Sequence, residues 1–422
     1  MADVRLKPQL SALDADTSFD VARVRRDFPI LSRRIYGHPL SYLDNAASAQ
    51  KPKAVIGAMR KAYEADYANV HRGLYFLSTR ATQNYEETRK TVSRFINAPS
   101  SDEIVFTRNA TEAINLVATS FGGLTIGEGD EIVLSILEHH SNIVPWHFYR
   151  ERLGATLKWA PVNDDGEFLL EEYEKLLGNR VKMVAVTQMS NVTGAITPLG
   201  EIIRLAHKLR IPVLVDGSQG AVHLNVDVQA MGCDFYVFTG HKVYGPSGIG
   251  VLYARAKHLN RMPPFQGGGE MIEEVTRDRV TYAPPPYRFE AGTPPIVQAV
   301  GLGSALNYMT NMGLNTIQAH EKALADYALE RLGEIEGLRI FGKARERGAI
   351  VAFAVEEIHA HDVAAVLDRY GVAIRAGNHC AMPLLQHFGM TSLCRASFAM
   401  YNTHEEVDRL IDGLRAAIRL FA

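Results

Sequence analysis

From Ala98 onward the chain alternates between short apolar runs and longer stretches whose apolar positions recur at helical spacing. EIVFT is followed by TEAINLVATSFG, EIVLS by a helix after the EHHSN turn, and KMVAVT by LGEIIRLAHKLR. PVLVD, DFYVF and GIGVLYA complete the series of apolar runs. Such alternation predicts a mostly parallel sheet covered by helices on both faces. Ahead of this series, FDVARVRRDFPIL has helical spacing that stops at Pro29. LSYLD is a short strand leading into the small-residue turn NAASAQKP, and helical patterns then run to Ala98. Residues 1 to 18 are polar and are expected to fray.

Pro263 to Pro295 breaks the pattern with QGGGE, APPPY and AGTPP, which is loop chemistry rather than regular structure. So long a loop within a compact chain is expected to bind something or to contact another subunit. A long helical region follows, then a second α/β unit. Its strands are AIVAFAV and VAIRAG, and its helices HDVAAVLDRYG and EEVDRLIDGLRAAIRL. The 422 residues suffice for two domains and a large core.

Composition acts mainly by exclusion. With 47% hydrophobic and 22% charged residues and a net charge of −2, no strong field recruits nucleic acid or an anionic membrane. No apolar run approaches the ~20 residues of a spanning helix. The opening MADVRLKPQLSALDADTSFD mixes charges and lacks the apolar core of a secretory signal. Three cysteines, Cys233, Cys380 and Cys394, are too few and too scattered for a disulfide framework or a zinc cluster. A cytoplasmic enzyme without a metal is the expectation.

Candidate chemistry begins at Asp234 to Gly245, DFYVFTGHKVYG, where an apolar strand runs into a turn presenting Thr239, His241 and Lys242. A lysine this close behind a buried strand belongs at the strand's C-terminal lip, where open α/β sheets keep their ligand sites. Alone, it reads equally as a solvated loop lysine. IPVLVDGSQG is built alike, its strand ending in Asp216 with Ser218 and Gln219 behind it. An acid and an amine delivered to one lip suggest a cofactor with a cationic nitrogen and an aldehyde, and no other lysine is expected there. After EIVFT, Asn109 or Thr111 can cap a helix with Glu112 in its first turn, a start that suits a phosphate.

His139 and His140 are sequence neighbours that do not face one site, and no third metal ligand is evident. A single catalytic or stacking histidine is favoured over a metal pair, with a hydrogen-bonded surface pair as the alternative. In the second unit, RAGNHCAMP sets Cys380 on a glycine-containing turn near His379 and Arg375. A free thiol with a pKa near ~8.5 is little ionised at neutral pH, so a nucleophilic cysteine needs positive surroundings. Cys233, at the start of a buried strand, and Cys394 read as structural. Arg395 is a candidate for gripping a carboxylate with its planar fork.

Taken together, LDNAASAQKP, NVHRG, TEAINLVA, LEHHSNIVPW, SNVTG, VDGSQG, TGHKVYGPSGIG, RFEAGTP, RAGNHCAMP and CRASFAMYNTHEEVD resemble a SufS-type cysteine desulfurase. That family belongs to the class V aminotransferase branch of fold-type I pyridoxal phosphate enzymes, and the resemblance runs in order from about Phe19 to the C-terminus. It implies an α/β fold with a large domain over 35–305 and a small domain formed by 1–34 with 306–422. Lys242 would bind pyridoxal phosphate covalently, and Asp216 would keep the cofactor's ring nitrogen protonated. Gln219 would hydrogen-bond the ring hydroxyl, and His139 would stack on the ring and move protons. Thr111, Thr239 and His241 would hold the phosphate, with Thr293 reaching over from the partner subunit of a homodimer. Arg395 and Asn191, with His71 and Arg72 supplied across the dimer, would bind the carboxylate end of L-cysteine.

The resemblance further implies that Cys380 takes the substrate sulfur as a persulfide and that alanine is released. A SufE-type carrier or a zinc-binding SufU-type carrier would then receive the sulfur, with His361 of IHAHDV near the carrier's zinc in the second case. Thr239 stands where the family often has serine, which keeps the hydroxyl. Asn378 stands where many relatives have histidine, which leaves that position without a proton-transfer group. The competing readings are a class V aminotransferase, a selenocysteine lyase using the same lysine, and an idle scaffold of a sulfur-assembly complex.

Overall fold

The larger sheet sends alternate side chains of its strands into two separate cores. Tyr236 and Phe238 lie in one core, Phe235 and Val237 in the other, and Val213 and Val215 are divided from Leu214 in the same way. Both faces of these strands are therefore dry, which is why each reads as an unbroken apolar run rather than an alternating one. The computed structural model describes residues 19–421, so the expected fraying of residues 1 to 18 lies outside them.

Seven strands make up this sheet: β1 (Ile104–Thr107), β2 (Glu131–Ser135), β3 (Thr156–Ala160), β4 (Val181–Thr187), β5 (Val213–Asp216), β6 (Phe235–Thr239) and β7 (Gly250–Ala254). Their order is β1-β7-β6-β5-β4-β2-β3. Only β7 runs antiparallel to its neighbours, so the C-terminal ends of the other six share one lip. The mostly parallel sheet expected from the pattern is what forms. Strand β3, with the sequence TLKWA, escaped that pattern because it is an edge strand whose side chains are only partly covered.

The expected loop between Pro263 and Pro295 contains a hairpin, β8 (Ile272–Val275) with β9 (Val280–Tyr282). Its residues are mostly exposed, so it lacks the apolar run that marks a buried strand. Ahead of the loop, α1 (Lys53–Ala65) and α2 (Phe76–Phe95) both pack on α3 (Ile296–Met312).

A second, antiparallel sheet follows: β10 (Leu338–Phe341), β11 (Ile350–Val355), β12 (Arg375–Gly377) and β13 (Leu393–Ser397), ordered β10-β11-β13-β12. One face carries Val351, Phe353, Cys394 and Ala396 into a core shared with helices α4 (Leu314–Gly333), α5 (Ala360–Arg369) and α6 (His404–Phe421). The other face, with Phe341, Ala352 and Leu393, meets Leu137 and Val192 from loops above the larger sheet. Strand β13 was hidden in the sequence because Arg395 interrupts its apolar run, although that arginine is buried. Segment 41–44 joins the smaller unit, pairing Ser41–Tyr42 with Val372–Ala373 and Asp44 with Ser397. Phe28 anchors the N-terminal segment between Tyr244, Tyr308 and Tyr401.

Arg89, in α2, is buried and ties that helix to the end of the long loop. It donates to both oxygens of Glu290 at 2.6 and 3.0 Å, to Glu86 at 2.9 Å and to the Ile104 carbonyl at 2.8 Å. Glu290 also accepts from the Tyr85 hydroxyl and the Phe106 amide. Removing the arginine strands a buried carboxylate, which costs about 3–5 kcal/mol, whereas an exposed ion pair contributes less than about 1 kcal/mol. Urea unfolding should therefore show a large fall in midpoint for Arg89→Met. Arg94→Met, which breaks the exposed pair with Glu87, should barely move it.

Candidate active site

Between the lip of the larger sheet and the smaller unit lies a cleft of about 600 Å³. From the lip come Thr111, His139, Asn191, Asp216, Thr239, His241 and Lys242, and from the smaller unit Arg375, Asn378, His379, Cys380 and Arg395. Each lip residue is the last of a strand or lies within a few residues beyond one, the usual ligand position in an open α/β sheet. Gly250, at the start of β7, lets Asn109 approach closely, since a Cβ there would lie 2.4 Å from the Asn109 carbonyl carbon.

Asn109, rather than Thr111, caps the helical run that begins at Ala110, accepting the Glu112 amide at 2.9 Å. Thr111 is left free to turn its hydroxyl to Ser141 at 2.7 Å. Ser141 also bonds His139, its amide donating to Nδ1 at 3.1 Å. An amide can only donate, so the neutral His139 ring carries its proton on Nε2. Burial, with Lys242 nearby, holds its pKa down at about 4. Burial likewise lowers His241 to about 4.

Lys242 is half-buried and faces the cleft. Burial lowers its pKa to about 8, opposed by Asp216 and helped by Arg395. A neutral amine is thereby within reach at ordinary pH, as a carbonyl-capturing lysine requires. Asp216 accepts the Ser218 amide at 2.9 Å. Just beneath, Gln219 donates to the Ala46 carbonyl at 2.8 Å while its own oxygen, buried, has no partner.

Arg395 is buried in β13, donating to the Asn191 carbonyl at 2.8 Å and to Asp44 at 3.1 Å. Asp44 also takes Arg375 at 2.7 Å, so one carboxylate holds two guanidinium groups at the cleft. The Arg395 Nε stays buried and unpaired. Cys380 is the one exposed cysteine of the three, in a left-handed conformation with φ of 54° directly after His379 at 52°. Burial raises Cys233 and Cys394 to about 12, which fits their reading as structural.

His71, Arg72 and Thr293 do not reach this cleft. His71 bonds Glu86 at 2.9 Å, Arg72 bonds Glu270 at 3.1 Å, and Thr293 is exposed nearby between Gly292 and Pro294. Gly292 and Pro294 line a separate pocket with His71 and Glu270. Lys51 lies behind the lip without lining the cleft, donating to the His241 carbonyl at 3.0 Å with its pKa lowered to about 8 by burial.

Glu138 also went unread in the sequence. Its buried carboxyl accepts from Ser135, Asn142 at 2.7 Å and the Thr187 amide at 2.8 Å, and burial raises it to about 8. Its only sequence signal was its position in EHHSN, beside a histidine already singled out.

The donor set fits pyridoxal phosphate. Buried polar atoms without partners are rare, yet Thr239 Oγ1, Gln219 Oε1 and Arg395 Nε all lie unpaired around this cleft, where a polar ligand would satisfy them. An amine of lowered pKa and a carboxylate stand beside them.

Residues 41–410 match the family model of class-V aminotransferases. A cysteine desulfurase of Dickeya dadantii is 52% identical over 403 residues, covering 95% of this chain and 98% of its own. The structure of a cysteine desulfurase from Thermococcus onnurineus aligns with a TM-score of 0.91 at 38% identity, covering 96% of this chain and all of that one. An Escherichia coli cysteine desulfurase in its S-sulfonic acid form aligns with a TM-score of 0.89 at 39% identity and the same coverage. A pyridoxal phosphate cleft, a single exposed thiol facing it and relatives of this closeness lead to one conclusion: the chain belongs to the class-V aminotransferase family and, within it, to the cysteine desulfurases.

Proposed function

We propose that this cleft turns L-cysteine into L-alanine and leaves the sulfur as a persulfide on Cys380, for transfer to iron–sulfur cluster assembly in the cytoplasm. The observation that carries the reading is one cleft with a lysine of lowered pKa on one wall and an exposed cysteine on the other. Bound there, pyridoxal phosphate supplies an electron sink for the substrate's α-carbon. Lys242 would hold the cofactor, Asp216 would keep its ring nitrogen protonated, and Gln219 would meet the ring hydroxyl. Thr111, Thr239 and His241 would hold the phosphate. His139, uncharged at working pH, can pack on an aromatic ring without repelling Lys242.

Arg395 and Asn191 would fix the substrate carboxylate, which needs only the donors that Asp44 does not occupy. The Cys380 sulfur then bonds to the substrate sulfur. As it does so, the carbon–sulfur bond breaks with its electron pair staying on carbon, where a proton completes alanine. Three cationic side chains, Lys242, Arg375 and Arg395, line the cleft with that thiol.

We further take the protein to be SufS-like, with the division into domains at 35–305 and at 1–34 with 306–422 except that segment 41–44 pairs with the smaller unit, and to act as a homodimer. Leu74, Tyr75 and Phe76 stand exposed beside His71 and Arg72, an apolar surface suited to a second copy. In that arrangement His71, Arg72 and Thr293 would complete the neighbouring cleft. Among the described residues no helix is long and apolar enough to cross a membrane.

For the sulfur acceptor, exposed His361 has its Nε2 3.8 Å from where a Gly377 side chain would begin, next to the Cys380 turn. That supports a zinc-binding SufU-type carrier over a SufE-type one. His361→Ala should cut stimulation by a SufU-type carrier and spare that by a SufE-type carrier. Unchanged stimulation with both would reject the zinc role.

Cys380→Ser keeps size and hydrogen bonding but substitutes a hydroxyl that is essentially un-ionised at neutral pH. It should bind cofactor and L-cysteine normally, release little alanine and carry no persulfide, while Cys233→Ser and Cys394→Ser remain active. Full activity in the Cys380 variant would return the protein to the aminotransferase reading.

Lys242 yields a third expectation. With its pKa at about 8, the neutral amine fraction grows roughly tenfold between pH 7 and pH 9. Cofactor uptake by the apoenzyme, followed by absorbance, should accelerate in that proportion. The Lys242→Ala variant should retain no borohydride-trappable cofactor at any pH.

A further inference from the structure

The turn that carries Cys380 is held in an unfavourable backbone shape. Gly377 has φ of 129°, and His379 and Cys380 follow at 52° and 54°. Two successive side-chain-bearing residues in the left-handed region cost free energy, so neighbouring contacts must enforce the shape. Within the turn, the Cys380 amide donates to Asn378 Oδ1 at 2.9 Å and the Ala381 amide to the Asn378 carbonyl at 3.0 Å. Asn378, which departs from the histidine of many relatives, thus braces the turn internally through an asparagine motif that suits left-handed neighbours. From outside, Asn191 donates to the His379 carbonyl at 2.8 Å.

The His379 ring bonds the Leu393 carbonyl at 2.9 Å, and two further external contacts come from one residue. The His140 amide donates to the Cys380 carbonyl at 2.7 Å, and His140 Nε2 accepts the Met382 amide at 3.1 Å. Because that amide can only donate, the neutral His140 ring carries its proton on Nδ1, the opposite tautomer to His139. His140 therefore grips the nucleophile's turn on both sides of Ala381, directly behind Cys380. It directly follows His139 and shares a single helical turn, His140–Asn142, with Ser141, which bonds both His139 and Thr111. The cofactor wall and the thiol turn thus meet through His140 as well as through Asn191.

We propose that His140 is a positioning residue for sulfur transfer, clipping the Cys380 turn to the segment that carries His139 so that the thiol is presented at a fixed distance from the cofactor wall. The proposal rests on the reading of Cys380 as the sulfur-accepting nucleophile. It does not require His140 to touch substrate or exchange protons with it. Its imidazole has to remain an acceptor, which a glutamine side-chain oxygen can replace and a methyl group cannot.

The holoenzyme variants His140→Ala and His140→Gln test it. In the alanine variant, amide exchange of the peptide spanning 378–384 should accelerate about tenfold, as expected for one lost hydrogen bond. Iodoacetamide should alkylate Cys380 several times faster in the absence of substrate. Alanine formation should show kcat down about tenfold with KM for L-cysteine nearly unchanged and the cofactor absorbance preserved. The glutamine variant should recover most of each loss.

Unchanged exchange and alkylation in His140→Ala would overturn the clip, as would a glutamine variant no better than alanine. A loosened turn with full kcat would overturn the positioning role. If Cys380→Ser were also fully active, the assignment of the nucleophile would fall with it, whereas an inactive Cys380→Ser would confine the failure to His140.

Discussion

Leu137 and Val192, from loops above the larger sheet, share one buried cluster with Phe341, Ala352, Leu384 and Leu393 of the smaller unit. Every chemical group in the cleft depends on that apolar seam, because the amine stands on one side of it and the thiol on the other. Burying a side chain of this kind stabilises by about 1.5–3 kcal/mol, against about 1 kcal/mol for a typical hydrogen bond. The seam thus sets the separation of the two walls, and polar contacts across it adjust what remains. Ala381 and Leu385, directly behind Cys380, are part of the same cluster, so the turn is fastened at its base and presented at its tip.

Electrostatics then follow from dryness. The same enclosure that lowers Lys242 and His139 raises Glu138, since burial penalises whichever form is charged. An uncharged imidazole, an amine close to neutrality and a fixed carboxylate at Asp216 can coexist within one small space for this reason. Where charge has to persist, it is partnered. Asp44 holds Arg375 and Arg395, and Glu290 holds Arg89.

What could be read in the sequence was what lies within a few residues of a strand end. Asp216 and Lys242 stand at or just behind the ends of buried strands, and Cys380 follows a glycine-containing turn, so local pattern marked all three as candidates while their roles came only with the family resemblance. The groups that were missed act through long-range contacts. Lys51 meets His241 from 190 positions away and Asp44 meets Arg395 from 351 away, and no local periodicity records either. Strand β13 and the hairpin of β8 and β9 were lost for opposite reasons. The first buries an arginine inside an apolar run, and the second exposes nearly all its side chains. Glu138 looked like an ordinary turn glutamate, and only tertiary burial makes it unusual.

The distribution of sulfur in the chain has a bearing on chemical damage. Cys233 and Cys394 are sealed in the two units with their thiols held at about 12, and Cys380 alone is exposed. No resolving thiol is available on the same surface, so an oxidised Cys380 has no internal disulfide in which to shelter. Its reversible exits are small thiols and partner proteins, and without them oxidation proceeds to the sulfinic and sulfonic acids, which are not recovered. On the proposed reading, the atom that would carry the sulfur is also the one thiol open to oxidation.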